Sequence, residues 1–534
     1  MSYWENRSAK RMAEYHYKPE HTAVMRRAYN NAIYSIEESI TKIFNKVMLD
    51  GGLTEAETKR LLNEPIPYNY AQALAKTLDT ITDPQIKRNV LNQVNSLAYR
   101  SRISRLEALR LETKLALAKV ADIELSADTL VLTDVAEQAY YKALFDAQKH
   151  TKLGFDFAKI PDGRVTEILK NKWSGKHYSK RIWGNTSIIA GLLEEKLTTG
   201  LAAGKTYKEI AKDFESVSTL GQSAAQRLVH TEMTYVANAA EIESLKEMDA
   251  EKYRFVATLD LRTSTICREM DGEAIAIADS KTGKNLPPLH PWCRSTIVMV
   301  IDEEVLKTLE RRARDPVTGE TYLVPANMTY KEWYTKHVEG NLKVEAEEKK
   351  LRNMSGDKRQ YNKYKKIYGN KVGASFAKFQ EMKYNDIEQW DMFKADYRYV
   401  NKVAMHASLG NFTLTNRLIG GGHGQGNIDY LSANGIGFNI VKEYSNGVRI
   451  GNVPEHKDRL KRDGTGQSWF PAEWTSETIR NAGVYVNNKN KDVEDGVWVF
   501  ATYEGVRVGI IKENGRIGTI VPDNSHQPGG DKID

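Results

Sequence analysis

Only two cysteines, Cys267 and Cys293, occur in 534 residues. A disulfide framework is therefore not expected, and the pair reads as reduced thiols in a protein made and kept in a cytosol. There is no apolar run long enough to cross a bilayer, so no membrane partner is expected. Met1 to Arg7 offers no apolar core of a secretory signal. Charge of one sign is also scarce: the formal net charge is +7, which signals polyanion contact only where it is clustered. No His-Glu-x-x-His occurs, so a zincin is not indicated. No Gly-Lys-Ser/Thr follows Gly420-Gly421-Gly422, which excludes a Walker phosphate loop there.

The length exceeds one ordinary hydrophobic core, and two to four domains are expected. Proline and glycine are sparse from Glu20 to about Val120, where the pattern is helical. Ile36, Ile40, Ile43 and Val47 form one helix stripe. Gly51-Gly52 reads as its end, and Thr54-Glu55-Ala56-Glu57 as a capping box opening the next helix. Ile103 to Ala121 is rich in strong helix formers. Further helices are expected at Ser187 to Leu197 and from about Gly221 to Met248. On the latter, Arg227, Thr231, Thr234 and Asn238 make a polar stripe, which reads as a solvated face.

The texture then changes. Tyr253 to Thr258 and Ser295 to Ile301 read as strands. Between them stand Cys267, His290 and Cys293, with His290-x-x-Cys293 at a metal-knuckle spacing. Three such residues are potential zinc ligands, a closed structural site needs four, and Asp260 and His230 are candidates for the fourth. The alternative is two buried thiols and a surface histidine.

The order Arg227…His230-Thr231-Glu232…Asn238, Asp260-x-Arg262-Thr263-x-x-x-Cys267, Asp271-Gly272 and His290-Pro291-x-Cys293-Arg294 resembles the MuF-like head-morphogenesis family, the minor head proteins of tailed bacteriophages. The resemblance covers about residues 20–305 and is sharpest over 227–296. Family members often carry further cysteines where Ser264 or Thr265 and Ser295 stand here. The resemblance implies a structural role near the portal, with portal and capsid proteins as partners and the virion as location.

Residues 341–380 hold 11 basic and 4 acidic residues, a local excess equal to the net charge of the whole chain. Tyr361, Tyr364 and Tyr368 interleave with Lys363, Lys365 and Lys366. Such a run is either a solvated helix or linker, or a surface for a nucleic-acid backbone and its bases, DNA included.

From about Met392 the composition shifts to glycine, asparagine, valine and aromatics. Strands are expected at Gly435 to Lys442, Gly447 to Gly451, Gly483 to Val486, Gly496 to Thr502, Val506 to Ile511 and Gly515 to Val521, with one helix after Pro471. His406 and His423 stand 17 residues apart, the second closing a glycine run. One imidazole can take a proton while the other gives one, which suits RNA cleavage through the 2′-hydroxyl. The glycine amides can approach a phosphate without hindrance from a Cβ.

His406, Gly420-Gly421-Gly422-His423, Phe470-Pro471-x-x-Trp474 and Gly518-Thr519-Ile520-Val521-Pro522 together resemble the bacterial branch of the EndoU endoribonucleases, over about residues 395–525. The resemblance implies that His406 and His423 are the acid–base pair and that Thr519 contacts phosphate or base. It implies transesterification to a 2′,3′-cyclic phosphate, with no cofactor required and manganese stimulation in some members. Lys442 and Lys461 are candidates for the lysine that some members use. Val521 stands where many carry a base-stacking aromatic. Phe470 and Trp474 read as core.

The expected architecture is multidomain. A mostly α head-morphogenesis region (1–220) leads to a small α+β module (221–305), a basic linker (306–390) and a mostly β, α+β EndoU-like domain (391–534). The expected function is that of a phage minor head protein carrying an RNA endonuclease. Its partners would be RNA and an immunity protein, and its locations the virion and the bacterial host cytoplasm. The alternatives are a head protein whose C-terminal domain only binds nucleic acid or a partner, and a free-standing contact-dependent toxin.

Overall fold

A computed structural model describes residues 19–44, 60, 62–66, 76–98, 103–151, 160, 162–203, 205, 207–301 and 303–529. The expected helix end at Gly51-Gly52 and the capping box at 54–57 lie outside them. The chain divides into two compact units, Met1–Gly340 and Asn341–Asp534. This division falls inside the stretch 306–390, whose basic part, expected as a linker or solvated helix, is folded into helices.

In the first unit, α1 (Pro19–Phe44), β1 (Pro65–Ile66), α2 (Pro84–Ala98), β2 (Ile103–Ser104), α3 (Arg105–Thr151), α4 (Asp162–Lys170), α5 (Tyr178–Ala202) and α6 (Tyr207–Glu247) follow in order. No proline interrupts α3. It is apolar on more than one side, the mark of a central helix. Leu111, Leu115, Leu132 and Val135 pack into one cluster with α2, α4, α5 and α6, while Leu109, Leu117 and Val120 pack into another with α1. Ile36 and Ile40 of the α1 stripe are buried in the second. Gly221 does not start α6 but lies within it, where a Cβ would run into the ring of Tyr29 from α1.

The small module follows: β3 (Lys252–Val256), α7 (Thr265–Met270), β4 (Ala274–Ala276) and β5 (Thr296–Met299), in an antiparallel sheet of order β4-β3-β5. Then come α8 (Glu303–Lys307), the hairpin β6 (Glu310–Arg314) and β7 (Thr321–Pro325), and α9 (Tyr330–His337). Buried Asp271 locks these parts together: it accepts from the Ala257 and Tyr330 amides and from Arg311. Of the polar stripe on α6, Arg227 is exposed, but the rest is not solvated. Thr231, Thr234 and Asn238 are buried. The Thr234 hydroxyl donates to the Cys293 carbonyl at 2.8 Å, and the Trp292 amide donates to the Thr231 hydroxyl at 3.2 Å. Periodicity shows that a face is polar; a loop needing backbone partners can cover it as well as water can.

The second unit opens with α10 (Leu342–Arg352), α11 (Met354–Tyr368), α12 (Phe376–Tyr384) and α13 (Ile387–Leu409). Tyr368 is buried, and Tyr361 and Tyr364 are half-buried against Phe376, Phe379, Phe393 and Tyr397, so these rings pack on the core. Next come β8 (Asn411–Phe412), β9 (Leu418–Gly420), α14 (Gln425–Ala433), β10 (Asn439–Glu443), β11 (Arg449–Asn452), β12 (Gln467–Trp469), α15 (Ser476–Lys489), β13 (Trp498–Tyr503), β14 (Val506–Glu513) and β15 (Arg516–Pro522). They form antiparallel sheets β8-β9, β10-β11-β12 and β13-β14-β15. The expected strand at 483–486 is part of α15. The Thr475 hydroxyl caps that helix, and Ile479, Ala482 and Val486 carry its helical period into the core. Phe470 and Trp474 stack at 5.1 Å inside the core, as expected.

Candidate active site

The last turn of α13 leaves carbonyls without helical partners. Gly410 already donates to the His406 carbonyl at 2.8 Å, and the glycine run adds partners along this end. Gly422 donates to the His406 carbonyl at 3.1 Å, His423 to Ala407 at 2.5 Å and Gly424 to Ser408 at 2.9 Å. This three-rung pairing brings His406 and His423 together. The Gly422 amide thus faces a helix end and is not free for a phosphate. Gly421, at φ +69°, lies directly under His406. A Cβ there would strike the His406 carbonyl oxygen and lie 2.9 Å from its ring Nε2.

The two imidazoles differ in setting. His406 is partly exposed, and its Nδ1 is buried with no hydrogen-bond partner among the described residues. His423 is 4% exposed. Its Nδ1–H donates to the Ser468 carbonyl at 2.6 Å, which fixes the neutral tautomer with a free electron pair on Nε2. Burial pushes the His423 imidazolium well below its ordinary range, and the Lys461 ammonium and the other two histidines nearby push it the same way. Of the two lysine candidates, Lys461 is therefore the one in the electrostatic reach of His423. Lys442 instead lies over the ring of Tyr444, 4.5 Å from its centroid. Burial lowers the Lys461 ammonium too, with Asp458 opposing.

Sequence reasoning missed three neighbours. His456 is buried, accepts the Asp458 amide on Nδ1 at 2.9 Å, and is held down to about 4 by burial and Lys461. Gln467 donates to the Gly422 carbonyl at 2.8 Å, bracing the glycine loop. Asn427 donates to the Leu409 carbonyl and accepts from the Trp469 indole, tying α14 to the end of α13. The spacing His456-x-Asp458-x-x-Lys461 was the available signal for the first. Thr519 sits in mid-strand opposite Ile511, with Val521 on the same face and buried Ile520 on the other. No hydrogen bond joins Thr519 to either histidine among the described residues.

In the first unit, the sulfurs of Cys267 and Cys293 and a ring nitrogen of His290 lie within 4.8 Å of one another. Neither expected fourth ligand joins them. Asp260 is held by Arg294 through both of its oxygens, at 2.5 and 2.8 Å. The His230 ring packs against Trp292, centroids 4.8 Å apart.

The second unit thus presents imidazoles and an ammonium converging at the end of a helix, the makings of an acid–base centre. Residues 402–524 match the family profile of the bacterial EndoU nuclease, and residues 192–298 match that of Phage Mu protein F like protein. The chain carries a Mu F-like domain and a C-terminal bacterial EndoU nuclease domain. Over 223 residues it is 23% identical to the NAD(+)--arginine ADP-ribosyltransferase EFV of Enterococcus faecalis (strain ATCC 700802 / V583), covering 39% of this chain and 44% of that protein. The chain thus spans less than half the length of this relative. No solved structure matches it. Among the described residues, no helix is long and apolar enough to cross a membrane.

Proposed function

We propose that this is a phage minor head protein whose C-terminal unit cleaves RNA by attack of a 2′-hydroxyl on the adjoining phosphate, leaving a 2′,3′-cyclic phosphate. The pairing of 406–408 with 422–424, which sets His406 beside His423, carries this reading. His423, kept neutral, takes the proton of the 2′-hydroxyl. His406, the more exposed of the two, gives one to the departing 5′-oxygen. In that step the 2′-oxygen forms a bond to phosphorus as the 5′-oxygen leaves, so the net proton count is unchanged. Lys461 opposes the negative charge that builds on the phosphoryl oxygens. Thr519 contacts phosphate or base, and Val521, lacking an aromatic face, leaves the base unstacked and its identity weakly read.

The match of 192–298 to a Mu F-like profile supports a place in the virion, with portal and capsid proteins as partners. The nuclease would act in the bacterial cytoplasm and be restrained in its producer by an immunity protein. DNA contact, if made by the 341–380 stretch, falls to its lysines. The test is incubation of the full chain with RNA, with EDTA or with manganese. Cleavage with a cyclic-phosphate end in EDTA, faster with manganese and lost in His406→Ala and His423→Ala, is expected. Intact RNA in every condition would refute the enzyme and favour a domain that only binds. In that case affinity should fall steeply with salt and be indifferent to the histidines.

A further inference from the structure

One cluster of reactive side chains plays no part in the nuclease reading. Cys267 lies in α7, and His290 and Cys293 lie in the loop before β5. Both thiols are buried, and both are free. The two sulfurs are 3.8 Å apart, and the Cys267 sulfur is 3.4 Å from His290 Nε2. Around a tetrahedral zinc ion, with Zn–S near 2.3 Å and Zn–N near 2.05 Å, the S–S edge is about 3.8 Å and the S–N edge about 3.6 Å. The two edges that meet at the Cys267 sulfur match those of such a tetrahedron, and all three atoms lie within 4.8 Å of one another.

The imidazole is also prepared for the role. His290 Nδ1–H donates to the Pro291 carbonyl at 2.7 Å, so the electron pair of the neutral ring is on Nε2, the atom that faces the sulfurs. A ligand histidine is normally oriented by such a bond on its other nitrogen.

We propose that Cys267, Cys293 and His290 bind one zinc ion as two thiolates and one imidazole, with water in the fourth position. Binding forms two Zn–S bonds and one Zn–N bond and releases the two thiol protons to solvent. Two soft thiolates and an imidazole in this geometry select zinc over magnesium or calcium. Its effect is to crosslink the module, with the fourth position left to water. The module has three short strands, and its apolar clusters are small: one holds Phe255, Ala257 and the two cysteines. A metal fastens α7 to the loop that docks on α6 through Thr231 and Thr234.

The test is independent of nuclease activity. The full chain is expressed with zinc in the medium, purified without chelator, and weighed intact under native conditions. About one zinc per chain is expected, released by a thiol reagent. Replacement by cobalt should give the visible bands of a tetrahedral thiolate complex. Cys267→Ser, Cys293→Ser and His290→Asn should each lower metal content at least about tenfold. If a variant fails to fold, the cobalt spectrum of the wild-type chain decides alone. Zinc-free wild-type protein, a disulfide in its place, or metal retained in folded Cys267→Ser or His290→Asn would overturn the proposal.

Discussion

His290 and His423, one in each unit, are held by the same device. Each donates Nδ1–H to a backbone carbonyl, of Pro291 or Ser468, and so presents a bare Nε2. They differ in what faces that nitrogen. His290 meets sulfur, and the neighbouring Cys293 raises its imidazolium above the ordinary range. His423 is buried near the Lys461 ammonium, and its imidazolium is driven down. On the proposed readings, one residue type in one tautomer would serve as a ligand beside thiolates and as a base beside an ammonium. Neighbouring charge, not the histidine, sets the chemistry.

The strongest way to break the contrast is to remove the base. His423→Ala and His406→Ala should each slow RNA cleavage by about 100- to 10,000-fold, the usual worth of a positioned acid or base. The double variant should be little worse than the single ones, because the pair acts as a unit. Rate measurement under single-turnover conditions checks both, and an undiminished rate in either variant would remove that histidine from the centre.

A smaller effect should follow when the support of His406 is disturbed. Gly421→Ala places a Cβ against the His406 carbonyl at a backbone angle that side chains rarely adopt. Gly435, at φ +66°, has the same backbone preference, but a Cβ there meets nothing within 4 Å. Both alanine variants should lose about 1–2 kcal/mol from strain. Only Gly421→Ala should also lose cleavage, by about tenfold or more, since a small displacement of a reacting group is costly. Equal activity in the two variants would show that the glycine loop does not position His406.

The ammonium can be removed as well. Lys461→Met should slow cleavage and also move the acid limb of the pH–rate profile to higher pH. Without the positive charge, protonated His423 is less disfavoured, so its pKa rises and the neutral base is lost earlier as pH falls. An unmoved limb would mean that burial alone holds His423 down.

His406, His423 and the family markers around them were legible in the sequence, because each carries a local signature: a glycine run, Phe470-Pro471, or Thr519 in a strand pattern. Lys461 was only one of two lysines, and the choice needed the fold. Gln467 and Asn427 had no local signal, since each serves backbone groups 18 to 46 residues away. The α6 stripe was visible as a face, but not the loop that covers it. The tyrosines of α11 show the same limit. Aromatics among lysines suit base stacking and core packing equally well, and only the contacts with Phe376, Phe379 and Phe393 show that these rings pack on the core.

The smallest expected effect extends the contrast to a buried charge with neither a proton partner nor a metal to answer it. In the core of the first unit, His21 and Asp128 meet at 2.6 Å, while both Glu124 oxygens are buried with no hydrogen-bond partner among the described residues. Burial raises the Glu124 carboxyl well above its ordinary range, and Asp128, one helical turn along α3, adds to this. The folded state therefore keeps a proton that the unfolded chain gives up. Its stabilising contribution is full below the ordinary carboxylate range and is lost as pH rises towards the raised folded value. Glu124→Gln holds the neutral form at every pH. It should stabilise the first unit by about 1–2 kcal/mol at pH 8, the scale of one poorly satisfied buried polar group, and by little at pH 4. Thermal melts at the two pH values check this. A gain of the same size at both would place the effect in packing and not in charge.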